Sequence, residues 1–180
     1  KMYFCSQFWN NNLNKDNIMK EIDWSSLSFG YMKTDYNVRC WYRNGAWGEI
    51  EVSSEETLNI HMAATCLHYG QEAFEGLKAY RCPDGKVRVF RMDENAARLQ
   101  STCRGIMMPE LPTELFEAMV AKVVKLNEAY IPPYESGASL YIRPLLIGTG
   151  AQVGVKPANE YLFIIFVTPV GPYFKGGFAA

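Results

Sequence analysis

Apolar and polar positions alternate on both sides of Asn44-Gly45 between Asp35 and Glu51, which predicts two strands joined by a tight type I′ turn, since both turn residues tolerate positive φ. The scheme repeats at Leu77 to Tyr80 and Val87 to Phe90. Between them Pro83-Asp84-Gly85 offers a fixed φ, a side-chain acceptor and a left-handed position, so a second hairpin is predicted. The period then changes. Ala96, Leu99, Cys103 and Ile106 recur at spacings of three and four after Asp93, a candidate N-cap, and Pro109 and Pro112 end that helix. Thr113 is the candidate N-cap of a second helix with Leu115, Met119, Val123 and Leu126 on one face and Lys122 and Lys125 late, where cations favour the helix dipole. Two apolar strands follow, Leu140 to Ile147 and Tyr161 to Thr168, separated by a glycine-rich loop from Gly148 to Pro157. Strand pairs, two consecutive helices and further strands predict an α+β domain, with helices on one side of a largely antiparallel sheet.

With 180 residues, 48% hydrophobic and 21% charged, the chain has material for one substantial core. A net charge of -1 and the lack of basic runs interleaved with aromatics argue against a nucleic-acid partner. The longest apolar stretch, Tyr161 to Val167, falls far short of the about 20 residues that cross a bilayer, so no membrane span is expected. Five scattered cysteines with no Cys-x-x-Cys pair fit free thiols in a reducing cytoplasm, and two histidines give little basis for a metal site. Residues 1–18 are asparagine-rich and lack both periodicity and a signal-peptide core, so they read as a leader outside the fold, with Met19 as the expected biological start. Residues 19–168 form the expected domain. The glycine-rich end, residues 169–180, reads as the start of a loop toward a further domain.

Three stretches carry candidate chemistry. His68 to Tyr80 crowds aromatic, acidic and glycine residues at the entrance to a strand, which suits either a ligand wall or a turn whose aromatics fill the core. In Leu140-Tyr141-Ile142-Arg143-Pro144, period-two geometry puts Tyr141 and Arg143 on one face of an apolar strand. An interior arginine needs an anion, either an internal carboxylate or a ligand. Arg98 lies off the apolar face of its helix and is either a solvated residue or a planar fork for a phosphate.

Taken in order, these stretches resemble the branched-chain aminotransferases, members of the fold-type IV pyridoxal-phosphate enzymes. The matching residues are Phe29-Gly30 with Thr34-Asp35, Leu67-His68-Tyr69 through Phe74-Glu75-Gly76-Leu77-Lys78-Ala79-Tyr80, Ala97-Arg98-Leu99, Ser139 to Pro144, Gly154-Val155-Lys156 and Pro169 to Phe174. The resemblance implies the small N-terminal domain of that fold. It also implies pyridoxal 5'-phosphate as cofactor, with Arg98 on the phosphate. Phe29, Tyr69, Phe74 and Tyr141 would form an apolar wall for Leu, Ile or Val. Gly76 and Lys78 would lie near that pocket, and Arg143 would fix Tyr141 or assist the acidic co-substrate, 2-oxoglutarate or glutamate.

The loop around Val153 and Val155 resembles one that reaches the other subunit's site, implying a homodimer, and Tyr173 would cover the substrate. The lysine that carries the cofactor belongs, by the same likeness, beyond Ala180, in a second domain. These 180 residues alone are therefore expected not to transaminate. D-amino acid aminotransferase and aminodeoxychorismate lyase share the fold, and a non-catalytic dimerising domain is the rival from another class.

Overall fold

The computed structural model describes residues 20–171, so the leader, Met19 and Tyr173 lie outside the described residues. One antiparallel sheet carries the domain. Its strands are β1 (Asn37–Arg43), β2 (Ala46–Trp47), β3 (Glu51–Ser53), β4 (Glu72–Phe74), β5 (Leu77–Arg81), β6 (Val87–Val89), β7 (Ser139–Gly148) and β8 (Tyr161–Val170). The spatial order is β2-β1-β8-β7-β5-β6, with β3 also on β1 and β4 also on β7. The helices are α1 (Thr65–Tyr69), α2 (Met92–Gly105) and α3 (Thr113–Leu126).

The spine is the β7–β8 pair, ten residues each, in register from Ser139 opposite Val170 to Gly148 opposite Tyr161. Alternation along β7 separates two faces. Leu140, Ile142 and Leu146 are fully buried, whereas Tyr141, Arg143 and Leu145 are half-buried on the other side. The buried face joins Val38, Cys40, Phe163 and Ile165 from the neighbouring strands to Leu99 and Cys103 of α2 and Phe116, Met119, Val120 and Val123 of α3. Helices α2 and α3 thus cover one face, as the sequence pattern predicts. Beyond Ile165, where β1 ends, the segment before it takes over that edge of β8. Met32 donates its N–H to Thr168 Oγ1 (2.8 Å), the Thr34 hydroxyl donates to Val167 O (3.1 Å), and Gly171 N–H donates to Ser28 O (3.3 Å).

Both hairpin turns form as expected, Asn44 and Gly45 with φ of 53° and 80° and Gly85 with φ of 74°. The return arm of the first hairpin is broken, however. From Tyr42 opposite Trp47 to Arg39 opposite Glu51, β1 advances three residues and its partner four, so one extra residue bulges near Gly48. Both predicted N-caps move. Helix α2 starts at Met92 with Arg91 before it in a left-handed conformation (φ 45°), and Asp93 instead lies in the first turn, where a carboxylate complements the dipole. Helix α3 has Pro112 at its cap position, and Thr113 is the first helical residue, its hydroxyl accepting from Gln100 Nε2 at 3.2 Å.

The apolar faces shift too. In α2, Met92 is buried and Ile106, just past the helix end, is exposed. In α3, Phe116, Val120 and Val124 join the core while Leu115 and Leu126 only flank it, because the sheet is wider than the narrow stripe predicted. Asn127 closes α3 from a fully satisfied buried position. Its Nδ2 donates to Tyr36 O (2.9 Å) and Val123 O (2.8 Å), and its Oδ1 accepts from Tyr36 N–H (3.1 Å).

Candidate functional site

The site grows from one interruption in the β7 ladder. Phe74 opposes Leu145 and Leu77 opposes Ile142, so the intervening Glu75 and Gly76 stand opposite Pro144 and Arg143 with no change of register. Glu75 N–H reaches Pro144 O at 2.9 Å. The reciprocal bond cannot form because proline has no N–H, and β4 and β5 are therefore two pieces of one arm. Pleating then sends successive side chains to opposite faces. Ala73, Glu75, Leu77 and Ala79 are buried beneath the helices, while Phe74, Gly76 and Lys78 face the open side.

On the open side, Phe29, Phe74, Gly76, Tyr141 and Arg143 come together. The Phe29 and Tyr141 rings meet edge to face with centroids 5.1 Å apart. The Arg143 guanidinium lies 4.5 Å from the Phe74 centroid and 5.3 Å from that of Tyr141, and its Nε donates to the Tyr141 hydroxyl at 3.2 Å. Gly76 makes room for that hydroxyl, since a Cβ there would stand 2.6 Å from it. Lys78 is paired opposite Tyr141 on the same face. No carboxylate pairs with Arg143 among the described residues, so the internal salt bridge considered from sequence is not formed. Its charge is held by aromatic faces and one hydroxyl.

On the helix side, Glu75 is 4% exposed and receives three side-chain hydrogen bonds. Arg98 Nε donates to Oε1 at 2.8 Å, Arg98 Nη2 to Oε2 at 2.5 Å, and Asn95 Nδ2 to Oε2 at 2.9 Å. The carboxylate holds the guanidinium in its charged form, pushing the pKa of Arg98 up. Yet the Arg98 side chain is 67% exposed. Two of its five donors serve Glu75, and the remaining edge is open for an anion.

Tyr69, Val153 and Val155 stand on neighbouring segments. The loop after β7 docks on the stretch around α1 through an Ala64–Ala151 bridge, Gln152 N–H to Ala63 O (2.9 Å) and Ala158 N–H to Gln71 Oε1 (3.1 Å). The Tyr69 hydroxyl donates to Val153 O, and the valine side chains are almost wholly exposed, 84% and 87%. A shallow cavity of about 630 Å³ lined by Lys33, Asp35, Tyr36 and Ser54 to Thr57 lies elsewhere, and none of Phe29, Tyr69, Phe74, Arg98, Tyr141 or Arg143 borders it.

No protein-family model matches the chain. Over 161 residues it is 51% identical to the branched-chain-amino-acid aminotransferase of Haemophilus influenzae, covering 89% of this chain and 47% of that protein. The chain is homologous to the N-terminal part of branched-chain aminotransferases. It spans about half the length of the curated relatives it matches. The branched-chain aminotransferase of Escherichia coli superposes with a TM-score of 0.57 at 28% identity, over 80% of this chain and 42% of that one. A second branched-chain aminotransferase, from T.th. and solved in complex with N-(5'-phosphopyridoxyl)-L-glutamate, superposes with a TM-score of 0.55 at 25% identity, over 76% and 41% of the two chains. The fold is thus the α+β N-terminal domain of the fold-type IV aminotransferases.

Arg98, charged, oriented by Glu75 and with donors open on one side, fits a phosphate. Sequence reading named Arg98 and the aromatic residues but missed Glu75, which holds Arg98, and Asn95, which donates to Glu75. The signal was present. Glu75 shares the parity of Ala73, Leu77 and Ala79, and a carboxylate on a buried face demands a cation.

Proposed function

We propose that the full-length protein transfers the amino group between Leu, Ile or Val and 2-oxoglutarate with pyridoxal 5'-phosphate. The observation that carries this reading is the 51% identity over 89% of the chain. When bound, that cofactor supplies an electron sink for the bonds around the amino acid's α-carbon. We assign the lysine that anchors it to the length of the relatives that this chain does not span.

The roles follow from chemistry. Arg98 would hold the phosphate through its free donors, as charge-assisted bonds to a planar fork are strong and directional. Phe29, Phe74 and Tyr141 would pack against an aliphatic side chain and exclude water. Gly76 keeps the wall open by leaving space for the Tyr141 hydroxyl. Arg143 orients that hydroxyl and offers the positive charge that an acidic co-substrate needs. Tyr69, bound to the backbone at Val153, would steady the loop whose exposed Val153 and Val155 we assign to the second subunit's site in a homodimer. Tyr173, outside the described residues, would close over the substrate. Among the described residues no helix is long and apolar enough to cross a membrane, and the four cysteines described are free. We place the protein in the cytoplasm on the cysteines.

The test is direct. The full-length protein with added pyridoxal 5'-phosphate should form glutamate from 2-oxoglutarate and each of Leu, Ile and Val. Turnover of D-alanine or aminodeoxychorismate without turnover of these three would overturn the assignment. Size-exclusion chromatography with light scattering should return a dimer.

A further inference from the structure

Glu75 and Gly76 are adjacent residues on opposite faces of one arm, and each serves a different half of the site. The Glu75 carboxylate takes both inner donors of Arg98 and one of Asn95, while the bare Gly76 admits the Tyr141 hydroxyl. The backbone joining them is tied to β7 by Glu75 N–H on Pro144 O, and Asn95 Nδ2 also reaches Gly76 O at 3.5 Å. We propose that Glu75 is a positioning residue that orients Arg98 for the cofactor phosphate and sets its place relative to the aromatic wall.

The inference rests on the assignment of Arg98 to the phosphate. Its physical basis is pre-organisation. A largely exposed arginine would otherwise sample many rotamers and lose that freedom on binding. With Nε and Nη2 held by a buried carboxylate, the outer edge points one way. Glutamine at this position cannot substitute, because Arg98 donates Nε to Oε1 and Nη2 to Oε2, and an amide sets an NH2 donor against one of these two donors. The opposite expectation also exists. Were Glu75 only a competitor for Arg98, removing its negative charge would strengthen phosphate binding.

The experiment compares pyridoxal 5'-phosphate with unphosphorylated pyridoxal, both titrated by absorbance into the full-length apo protein, so that the ratio of dissociation constants isolates the phosphate contribution. Glu75→Gln should lower the preference for the phosphorylated form about tenfold, the cost of immobilising a freed guanidinium chain. Arg98→Ala should lower it at least as far. In the Arg98→Ala background, Glu75→Gln should change nothing more, as expected of a residue acting through Arg98. A preference unchanged or raised by Glu75→Gln, with Arg98→Ala still lowering it, overturns the positioning role and leaves the phosphate grip standing. A preference unchanged by Arg98→Ala removes the grip and this inference together. Should Glu75→Gln fail to fold by circular dichroism, Glu75→Asp decides: its carboxylate, one methylene short, should give an intermediate loss, and a wild-type preference counts against the proposal.

Discussion

Replacing Gly76 with alanine isolates the contact that shapes the open face. The backbone there is outside the left-handed region, so alanine meets no conformational penalty and the effect is steric. The new Cβ would stand 2.6 Å from the Tyr141 hydroxyl, 3.3 Å from Cζ and 3.4 Å from Cε2, and the first distance is too short for any side chain to keep. The Tyr141 ring must move. Displacement sacrifices its edge contact with Phe29, worth about 1 kcal/mol, and the Arg143 Nε bond, worth about 1 kcal/mol, so Gly76→Ala should destabilise the full-length protein by roughly 2 kcal/mol. Urea unfolding followed by tyrosine near-UV circular dichroism measures this. The control is Tyr141→Phe, which deletes the clashing oxygen and leaves 3.3 Å as the closest approach. In that background Gly76→Ala should cost only about 0.5 kcal/mol, a coupling of roughly 1.5 kcal/mol. Equal losses in both backgrounds would refute the argument, since the hydroxyl would then have nothing to do with the glycine.

Asn127→Ala should destabilise the protein by about 3 kcal/mol, because it leaves both backbone groups of Tyr36 without their side-chain partner near the core, and a shift in the urea midpoint below about 1 kcal/mol would contradict this. Burial pushes the Cys103 thiol up to about 11 and raises Cys40 as well, so neither should react with iodoacetamide in the native protein at pH 8. Among the described cysteines, mass spectrometry should find label on the half-buried Cys82 first, with Cys66 slower because burial raises its thiol as well, and early modification of Cys103 would count against the packed α2 face. The Tyr130 hydroxyl (2.6 Å), then the Lys20 ammonium, hold the Asp35 carboxyl below its ordinary range. Stabilisation from a lowered carboxyl is present above the unfolded value of about 3.9 and is lost as pH falls through the folded one, so wild type and Asp35→Asn should converge below pH 4. A stability difference that is the same at pH 7 and pH 2 would exclude this linkage.

Local chemistry made the two hairpins and the long β7 and β8 strands legible in the residue order itself. Asn44-Gly45 and Pro83-Asp84-Gly85 encode their turns within a few residues, and the mostly apolar stretches Leu140 to Ile147 and Tyr161 to Thr168 lie inside the ten-residue strands that form. The errors at the helix starts lie where one local preference overrides another. Asp93 and Thr113 are good N-caps by type, yet the chain enters α2 through a left-handed Arg91 and enters α3 through Pro112, whose φ is set by its ring. The short α1 and β4 carried too few residues for a period to show.

For the site, periodicity placed Tyr141 and Arg143 on one face but could not name what they face. The sequence alone determined which residues share a side of each strand and which turns close, because these depend on residue types a few positions apart, and which family the chain resembles, because ordered motifs recur along its length. Only the tertiary structure decided the partners. Register set Glu75 against Pro144, and the packing of α2 on that face brought Arg98 and Asn95 to the buried carboxylate. Arg143, left without a carboxylate by the same strand order, settled against Phe74 and Tyr141. The Glu75 pairings join it to Asn95 and Arg98, 20 and 23 residues away, where no local period reaches and only the folded domain brings the groups within hydrogen-bond range.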